Sequence, residues 1–219
     1  MVNAFIRNSI GLIVLLFSCA LLQGQESDLF KSWPDTTLAK ANSAKDVDYM
    51  SQEEKQVVFY TNLCRINPSV FSDTYLKEYL KENDIKRDKV VRGLIQDLES
   101  AEPRKILQPS DILTQAARKH AKDMGETGRT GHNASDGSGF RDRMLEVSKS
   151  FNGLNENANY GNEKGIDIVM DLLIDRNVPT AGHRKNILDW ESRYIGVAIE
   201  PHKRYGFNCV QDFGGTKKN

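Results

Sequence analysis

The sequence predicts an α+β domain, or three layers in which helices cover both faces of a small antiparallel sheet. Apolar residues recur every three or four positions in several stretches between residues 51 and 173, which is typical of helices that bury one face. Near the end of the chain, apolar residues alternate with other residues at 195–199 and 207–213. This alternation predicts two antiparallel strands joined by a short turn.

Local signals set the ends of the predicted helices. Ser51 and Glu54 have the spacing of a capping box, in which each side chain binds a backbone N–H group of the first turn. Ser110 is the predicted N-cap of a later helix, which Gly125 is expected to end. Two more stretches have helical spacing, at 91–98 and 166–173.

The charge balance argues against a nucleic-acid partner. The 219 residues include 30 Lys and Arg and 30 Asp and Glu, so the formal net charge is zero. Binding to phosphate groups requires a surplus of cations on one face. The hydrophobic fraction of 39% is that of an ordinary globular protein.

The first residues have the pattern of an export signal. An apolar run follows Arg7 and ends near Leu22, which is too short to cross a bilayer core of about 30 Å as a helix. We therefore predict a signal peptide at 1–24, a polar, extended arm at 25–50 and one domain at 51–219, with no transmembrane helix in the mature chain. The protein is then secreted or periplasmic. Alternatively, residues 16–19 (LFSC) resemble a bacterial lipobox, in which Cys19 would be acylated and anchor the protein.

Two cysteines, Cys64 and Cys209, remain if the chain is cleaved after residue 24. An oxidising compartment permits a disulfide between them, although two cysteines alone do not establish one. Each has an apolar neighbour, and a buried free thiol behaves as a small hydrophobic side chain. The sequence leaves both states open.

The four histidines differ in their surroundings. His120 lies on the apolar stripe of its helix, so we expect a core histidine with backbone partners. His202 lies in a turn beside Lys203 and is expected to be exposed. His132 and His183 are flanked by glycine, in a polar loop and in a short helical turn that Thr180 would cap. Both are candidate metal ligands, and an exposed loop histidine is the alternative for each.

Several carboxylates could complete a site with these histidines. Glu156 is surrounded by amide side chains, and Asp175 ends a helix on the way to His183. Asp167 and Asp171 lie on the same helix face as Asp175, where a solvated acidic stripe is the simpler interpretation. Two imidazoles with one or two carboxylates suit zinc, and a set richer in oxygen could bind calcium or magnesium.

Five segments, taken together, resemble the CAP superfamily of cysteine-rich secretory, antigen 5 and pathogenesis-related proteins, and especially its bacterial SCP-domain branch. The resemblance runs from about residue 51 to 214. The segments are 62–68 (NLCRINP), 117–124 (ARKHAKDM), 131–132 (GH), 155–157 (NEN) and 182–188 (GHRKNIL).

The resemblance implies a three-layer α-β-α sandwich whose central cleft gathers two histidines and two acids. On the matching positions these are His132, Glu156, Asp175 and His183. Asp175 departs from the eukaryotic members, which have Glu there, and its side chain is one methylene shorter. The many disulfides of the eukaryotic members are also absent from this sequence.

Three functions follow as hypotheses. In the first, the chain is a secreted binding or interaction module whose cleft holds a divalent cation, zinc above all, and whose surface meets a lipid, glycan or protein. The alternative is a metal-dependent, peptidase-like hydrolase in which His132 and His183 bind the metal and Glu156 is the base. In the third, the four side chains pair with each other and hold no metal.

Overall fold

The computed structural model describes residues 32–176 and 178–218. The predicted signal peptide at 1–24, the alternative lipid anchor at Cys19 and residues 25–31 of the predicted arm lie outside these residues. No helix in the described part of the chain has the length and apolar character needed to span a membrane.

Helices account for most of the first two thirds of the described chain. The α-helices are α1 Asp35–Ala41, α2 Gln52–Ile66, α3 Pro68–Phe71, α4 Lys77–Glu82, α5 Lys89–Ser100, α6 Asp111–Thr127, α7 Phe140–Arg143, α8 Gly165–Ile174 and α9 Gly182–Ile187. A π-helical segment, Ser72–Leu76, joins α3 to α4, and a 3-10 turn follows α7 at Val147–Lys149. The predicted helical stretches are therefore confirmed, and so is the capping box of Ser51 and Glu54 at the start of α2.

The sheet has the order β1-β3-β4-β2. Its strands are β1 Gln108–Pro109, β2 Leu154–Tyr160, β3 Tyr194–His202 and β4 Gly206–Gly214. The predicted hairpin of β3 and β4 is confirmed, and β2 pairs with β4 antiparallel as well. The short β1 runs parallel to β3, so the sheet is mixed rather than purely antiparallel.

The sheet lies between two layers of helices, as predicted. Ile195 and Val197 of β3 pack into the large core formed by α2, α5 and α8. The alternate residue Ala198 faces the other way and packs against Ala117 and Ala121 of α6. Since neighbouring side chains of a strand point to opposite faces, this alternation gives the three-layer α-β-α sandwich.

Helix α6 approaches the sheet so closely that glycine is required at the contact. The helix continues past Gly125, where the sequence predicted its end, and Gly128 ends it with φ of 71°. A Cβ on Gly125 would lie 2.1 Å from the carbonyl oxygen of Pro201, and one on Gly196 would lie 2.1 Å from the backbone of Leu113. Gly125 therefore lets the helix pack closely against the sheet, and it does not end the helix.

Residues 32–50 are not an extended arm. Helix α1 lies within them, and the side chains of Trp33, Ala41, Ala44 and Met50 are buried in the large core. The indole Nε1 of Trp33 also donates a hydrogen bond to Oγ1 of Thr74, at 3.3 Å. The prediction was wrong for this stretch because a few irregularly spaced apolar residues fix it through distant contacts, without a local period.

Cys64 and Cys209 are both free and buried. Burial raises the pKa of the Cys64 thiol to about 12 and also raises that of Cys209. Of the two states left open by the sequence, the structure has the free thiols, which pack as small hydrophobic side chains.

Candidate functional site

The first half of the site is a pair formed by His132 and Glu156. His132 lies in the loop after α6, and Glu156 is on β2. Nδ1 of His132 is 2.8 Å from Oε1 of Glu156. The Glu156 side chain is buried, whereas 47% of the His132 side chain is exposed. The carboxylate thus binds Nδ1 and fixes the orientation of the imidazole ring, and the rest of the ring is exposed to solvent.

Arg143 of α7 completes this half. Its Nη2 lies 2.7 Å from both carboxylate oxygens of Glu156 and donates to the carbonyl oxygen of His132 at 3.0 Å. Burial alone would raise the pKa of Glu156, but the hydrogen bonds from His132 and Arg143 outweigh burial, and the pKa is lowered. Arg143 was not singled out from the sequence, because it lies in a short helix with no pattern that marks it.

A second buried carboxyl group lies behind Glu156. Asp212 on β4 is directly opposite Glu156 in the sheet and is fully buried. No N–H or O–H group of the described residues donates to either of its carboxyl oxygens. Burial and, after it, the charge of Glu156 raise the pKa of Asp212 well above its usual value. Burial beside Glu156 therefore favours the protonated form of Asp212, and this residue too was missed from the sequence.

The second half of the site is a pair formed by His183 and Asp175. Nδ1 of His183 is 2.8 Å from Oδ1 of Asp175, and the backbone N–H of His183 donates to Oδ2 at 3.0 Å. Asp175, at φ of 58°, ends α8 in the left-handed conformation. Asp175, rather than the predicted Thr180, therefore caps α9. Although its side chain is one methylene shorter than that of glutamate, Asp175 reaches the ring because α9 starts beside it.

The two histidines line one cavity. Its volume is about 520 Å³, and its wall includes His132, His183, Tyr160 and Tyr205. In both rings Nδ1 is held by a carboxylate. A neutral imidazole with its proton on Nδ1 has a lone pair on Nε2, so Nε2 of each ring is the nitrogen that a ligand could use. The structure thus brings together all four residues of the predicted site as two carboxylate-histidine pairs.

His202 packs against Tyr160 and Tyr205, which line this cavity, and is not exposed, contrary to the prediction. Only 3% of its surface is accessible, and its Nε2 donates to the carbonyl oxygen of Arg129 at 2.8 Å. Its Nδ1 accepts the N–H groups of Arg204 and Tyr205, which form the turn between β3 and β4. A ring that satisfies several backbone groups in one turn is stable when buried, and the local sequence did not indicate this.

An aromatic cluster holds the loop that carries His132. The rings of Tyr160, His202 and Tyr205 lie 5.1–5.7 Å apart, centroid to centroid. The hydroxyl of Tyr160 accepts the backbone N–H of Gly131, next to His132, at 2.8 Å. The cluster therefore fixes the loop at the residue just before the candidate ligand.

His120 is a buried core histidine with a backbone partner, as predicted. Its Nε2 donates to the carbonyl oxygen of Gly131 at 2.9 Å, and it lies 3.9 Å from Oε1 of Glu156. Burial lowers the pKa of His120, so the ring is neutral at pH 7. Of the acidic stripe, Asp171 is exposed and accepts a hydrogen bond from the amide of Asn159 at 2.6 Å.

The side chains of the site do not form the set of four protein ligands that a closed metal site uses. Among the described residues, no group of three or more His, Cys, Asp and Glu side chains is arranged to hold a metal ion. Glu156 and Asp175 each bind Nδ1 of a histidine. The nitrogens that could still bind a cation are therefore Nε2 of His132 and Nε2 of His183. Structural zinc sites use four protein ligands, whereas open sites leave positions for water.

The chain is similar to a protein family and to solved structures. The family model of the cysteine-rich secretory protein family, CAP, matches residues 83–213. No curated protein matches the chain. One similar solved structure is an extracellular protein containing an SCP domain from Bacillus anthracis str. Ames, with 17% identity and a TM-score of 0.47, covering 75% of this chain. This chain spans only 41% of the length of that protein.

A second similar structure is an outer surface protein from Borrelia burgdorferi. Its identity to this chain is 21% and the TM-score is 0.44. The match covers 61% of this chain and 97% of the Borrelia protein.

Proposed function

Because the chain belongs to the cysteine-rich secretory protein (CAP) family, we propose that it is an exported binding module whose cleft holds a divalent cation, zinc in the first place, between His132 and His183. Export is supported by the sequence pattern of residues 1–24. The bound cation would supply a positive charge and open coordination positions for an anionic or oxygen-rich group of a lipid, glycan or protein.

One observation carries this proposal: both histidines line a single cavity, and a carboxylate binds Nδ1 of each. In metal sites, a carboxylate on the second ring nitrogen of a histidine orients the ring and makes Nε2 a better ligand. We therefore assign Nε2 of His132 and His183 as the ligands, with Glu156 and Asp175 as the groups that orient them.

The contacts of Glu156 favour a binding role over hydrolysis. As a general base, Glu156 would have to take a proton from water. Both of its oxygens already contact Arg143, and its lowered pKa makes it a weaker base. A base works best when its pKa is near the operating pH. The hydrolase is thus the second candidate.

Zinc titration of metal-free protein tests the proposal. We expect one zinc ion to bind at pH 7 by calorimetry, and the His132→Ala and His183→Ala variants each to bind at least about tenfold more weakly. Binding should weaken in acid, because a metal competes with protons for the imidazole nitrogens.

Two outcomes would contradict the proposal. If wild-type protein and a His132→Ala/His183→Ala double variant show the same absence of zinc binding, the four side chains have only a structural role. If peptides or esters are turned over and a chelator abolishes the turnover, the hydrolase replaces the binding module.

A further inference from the structure

Strand β2 forms one edge of the sheet, because β4 pairs with it on one side and no described strand pairs with it on the other. The N–H of Gly161, just past the strand, donates to the carbonyl oxygen of Phe207 on β4 at 2.9 Å. In an antiparallel pair, the backbone groups of alternate residues point towards the partner strand. The N–H and C=O groups of Glu156, Ala158 and Tyr160 therefore point away from β4.

Two of these three residues have backbone groups without a partner in the described chain. The carbonyl oxygen of Glu156 accepts a hydrogen bond from the side-chain amide of Asn186, at 3.2 Å. The outward N–H and C=O groups of Ala158 and Tyr160 form no hydrogen bond with any described residue. We refer to this side of the segment 158–160 as the free edge of β2. Such an edge is a template for pairing with a further strand.

The free edge of β2 lies in the cavity of the two histidines. Ala158 and Tyr160 line this 520 Å³ cavity together with His132 and His183. His132 is in the loop after α6, whereas His183 is in α9, which packs on α8 in the opposite layer of helices. The free edge therefore runs between the two candidate ligands, one from each layer.

A smaller cavity of about 150 Å³ adjoins the free edge on the other face of the sheet. Ala158 and Tyr160 line it as well, with Asp171 and Leu172 of α8. The side chain of Ala158 points to the opposite face, where Val210 lies across from it and packs against α6. The part of Ala158 that meets the smaller cavity is therefore its backbone, so a ligand in the cavities can reach its N–H and C=O groups.

The backbone groups of the free edge fit one class of ligand, an extended peptide. Residues two apart on a strand are about 6.6 Å apart, which is also the spacing of alternate residues in a second strand. We propose that the binding module captures an extended peptide of a partner protein, which pairs with Ala158 and Tyr160 as a further strand of the sheet. In this mode of recognition, hydrogen bonds of the main chain supply the affinity.

Charge complementarity indicates which end of the peptide lies at the histidines. This step rests on the proposed function, in which Nε2 of His132 and Nε2 of His183 hold a cation. A cation in the same cavity as the free edge attracts a carboxylate. Among the described residues, no Asp or Glu lines the 520 Å³ cavity and would repel one. We therefore assign the C-terminal carboxylate of the peptide to the cation.

The probe for this site is the peptide acetyl-Val-Thr-Val with a free C-terminal carboxylate, and the matched compound is the same peptide with its backbone amides N-methylated. Methylation keeps the side chains and the charge but removes the N–H donors. In proton–nitrogen NMR titrations we expect saturable binding of the first peptide and none of the second. The exchange of the Ala158 amide hydrogen with solvent should slow as the peptide saturates the protein.

The Ala158→Pro variant removes the outward N–H and keeps the bonds between β2 and β4, since proline is tolerated on an edge strand where the N–H faces away from the sheet. We expect it to bind the peptide about tenfold more weakly. Ala158→Ser keeps the N–H and is the control, which should bind as the wild type does. Equal binding of the two peptides, or unchanged exchange at Ala158 under saturation, would overturn the proposal even if the proline variant does not fold.

Measurements with and without zinc separate this inference from the proposed function. Strand pairing predicts that metal-free protein binds the peptide, and a cation at the histidines should tighten this binding about tenfold. Peptide binding by protein that takes up no zinc would support the pairing and contradict the cation site. Zinc uptake without peptide binding would overturn the pairing and leave the cation site in place.

Discussion

Charge at the site is set by a few side chains around Glu156. Arg143 supplies the cation, His132 a hydrogen bond, and Asp212 a second carboxyl group whose pKa is raised by burial. The ion pair of Arg143 and Glu156 is almost completely buried, with 10% and 2% of the side chains exposed. Removing one member of such a pair leaves an uncompensated charge in the interior.

We predict that Arg143→Ala lowers the free energy of unfolding by about 3 kcal/mol at pH 7, measured by urea denaturation. The lowered pKa of Glu156 stabilises the folded state above the unfolded pKa, and this contribution is lost as the pH falls through the folded pKa. The difference between variant and wild type should therefore shrink below about pH 4. Arg141→Ala, which removes an exposed arginine of the same helix, is the control and should change stability little. A loss that is equal at pH 7 and pH 3 would contradict this explanation.

The sequence indicated candidate residues of the site better than it indicated which residues are buried and which partners they have. His132, Glu156, Asp175 and His183 were identified because flanking glycines and amides set them apart and because five segments resemble one family. Arg143 and Asp212 carry no such mark. Their importance arises from burial and from a partner on another element, as does the burial of His202.

The contact of α6 with β3 depends on the absence of a side chain at Gly196. A Cβ there would be 2.1 Å from the carbonyl carbon of Leu113 and from the backbone nitrogen of Thr114. Helix backbone cannot move aside as a flexible side chain can, so the two layers would have to separate. The separation would reach Ala117 and Ala121, which pack on Ala198 and Val210.

We predict that Gly196→Ala destabilises the protein by about 2–3 kcal/mol in thermal or urea unfolding. Gly93→Ala is the matched control: Gly93 lies within α5, and no described atom is within 4 Å of the added Cβ. This variant should gain about 0.5–1 kcal/mol, because glycine weakens the interior of a helix. Similar effects of the two variants would show that backbone propensity, rather than the close contact, determines both.

Elements with a local period were predictable, and elements fixed by distant contacts were not. The apolar spacing of α2, α5, α6 and α8 reports directly which face each helix buries. Strand β2 was missed because its central residues, Glu156 to Asn159, are mostly polar. They are buried through side-chain contacts such as that of Asn157 with Gln211, at 3.1 Å.

Segments that are distant in the sequence are linked through the guanidinium group of Arg65. Arg65 is fully buried at the end of α2 and donates hydrogen bonds to the carbonyl oxygens of Lys105, Ile187, Asp189 and Ser192, at 2.6–3.0 Å. Burial lowers its pKa to about 10, so it remains charged at neutral pH. The link fixes the segment between α9 and β3 against the helical layer.

We predict that Arg65→Lys lowers the free energy of unfolding by about 3 kcal/mol, since an ammonium group cannot replace the planar fork of donors. Arg92→Lys, at an exposed arginine, should be neutral and serves as the control. Circular dichroism during urea unfolding measures both. Equal stability of the Arg65 variant and wild type would mean that water satisfies the four carbonyl groups without the guanidinium.

Helix α8 and helix α9 meet at Asp175, which both closes the first helix with its backbone and starts the second with its carboxylate. The orientation of the His183 ring therefore depends on the backbone path between the two helices. A substitution that changes this path would also turn the ring, unless both helices change together.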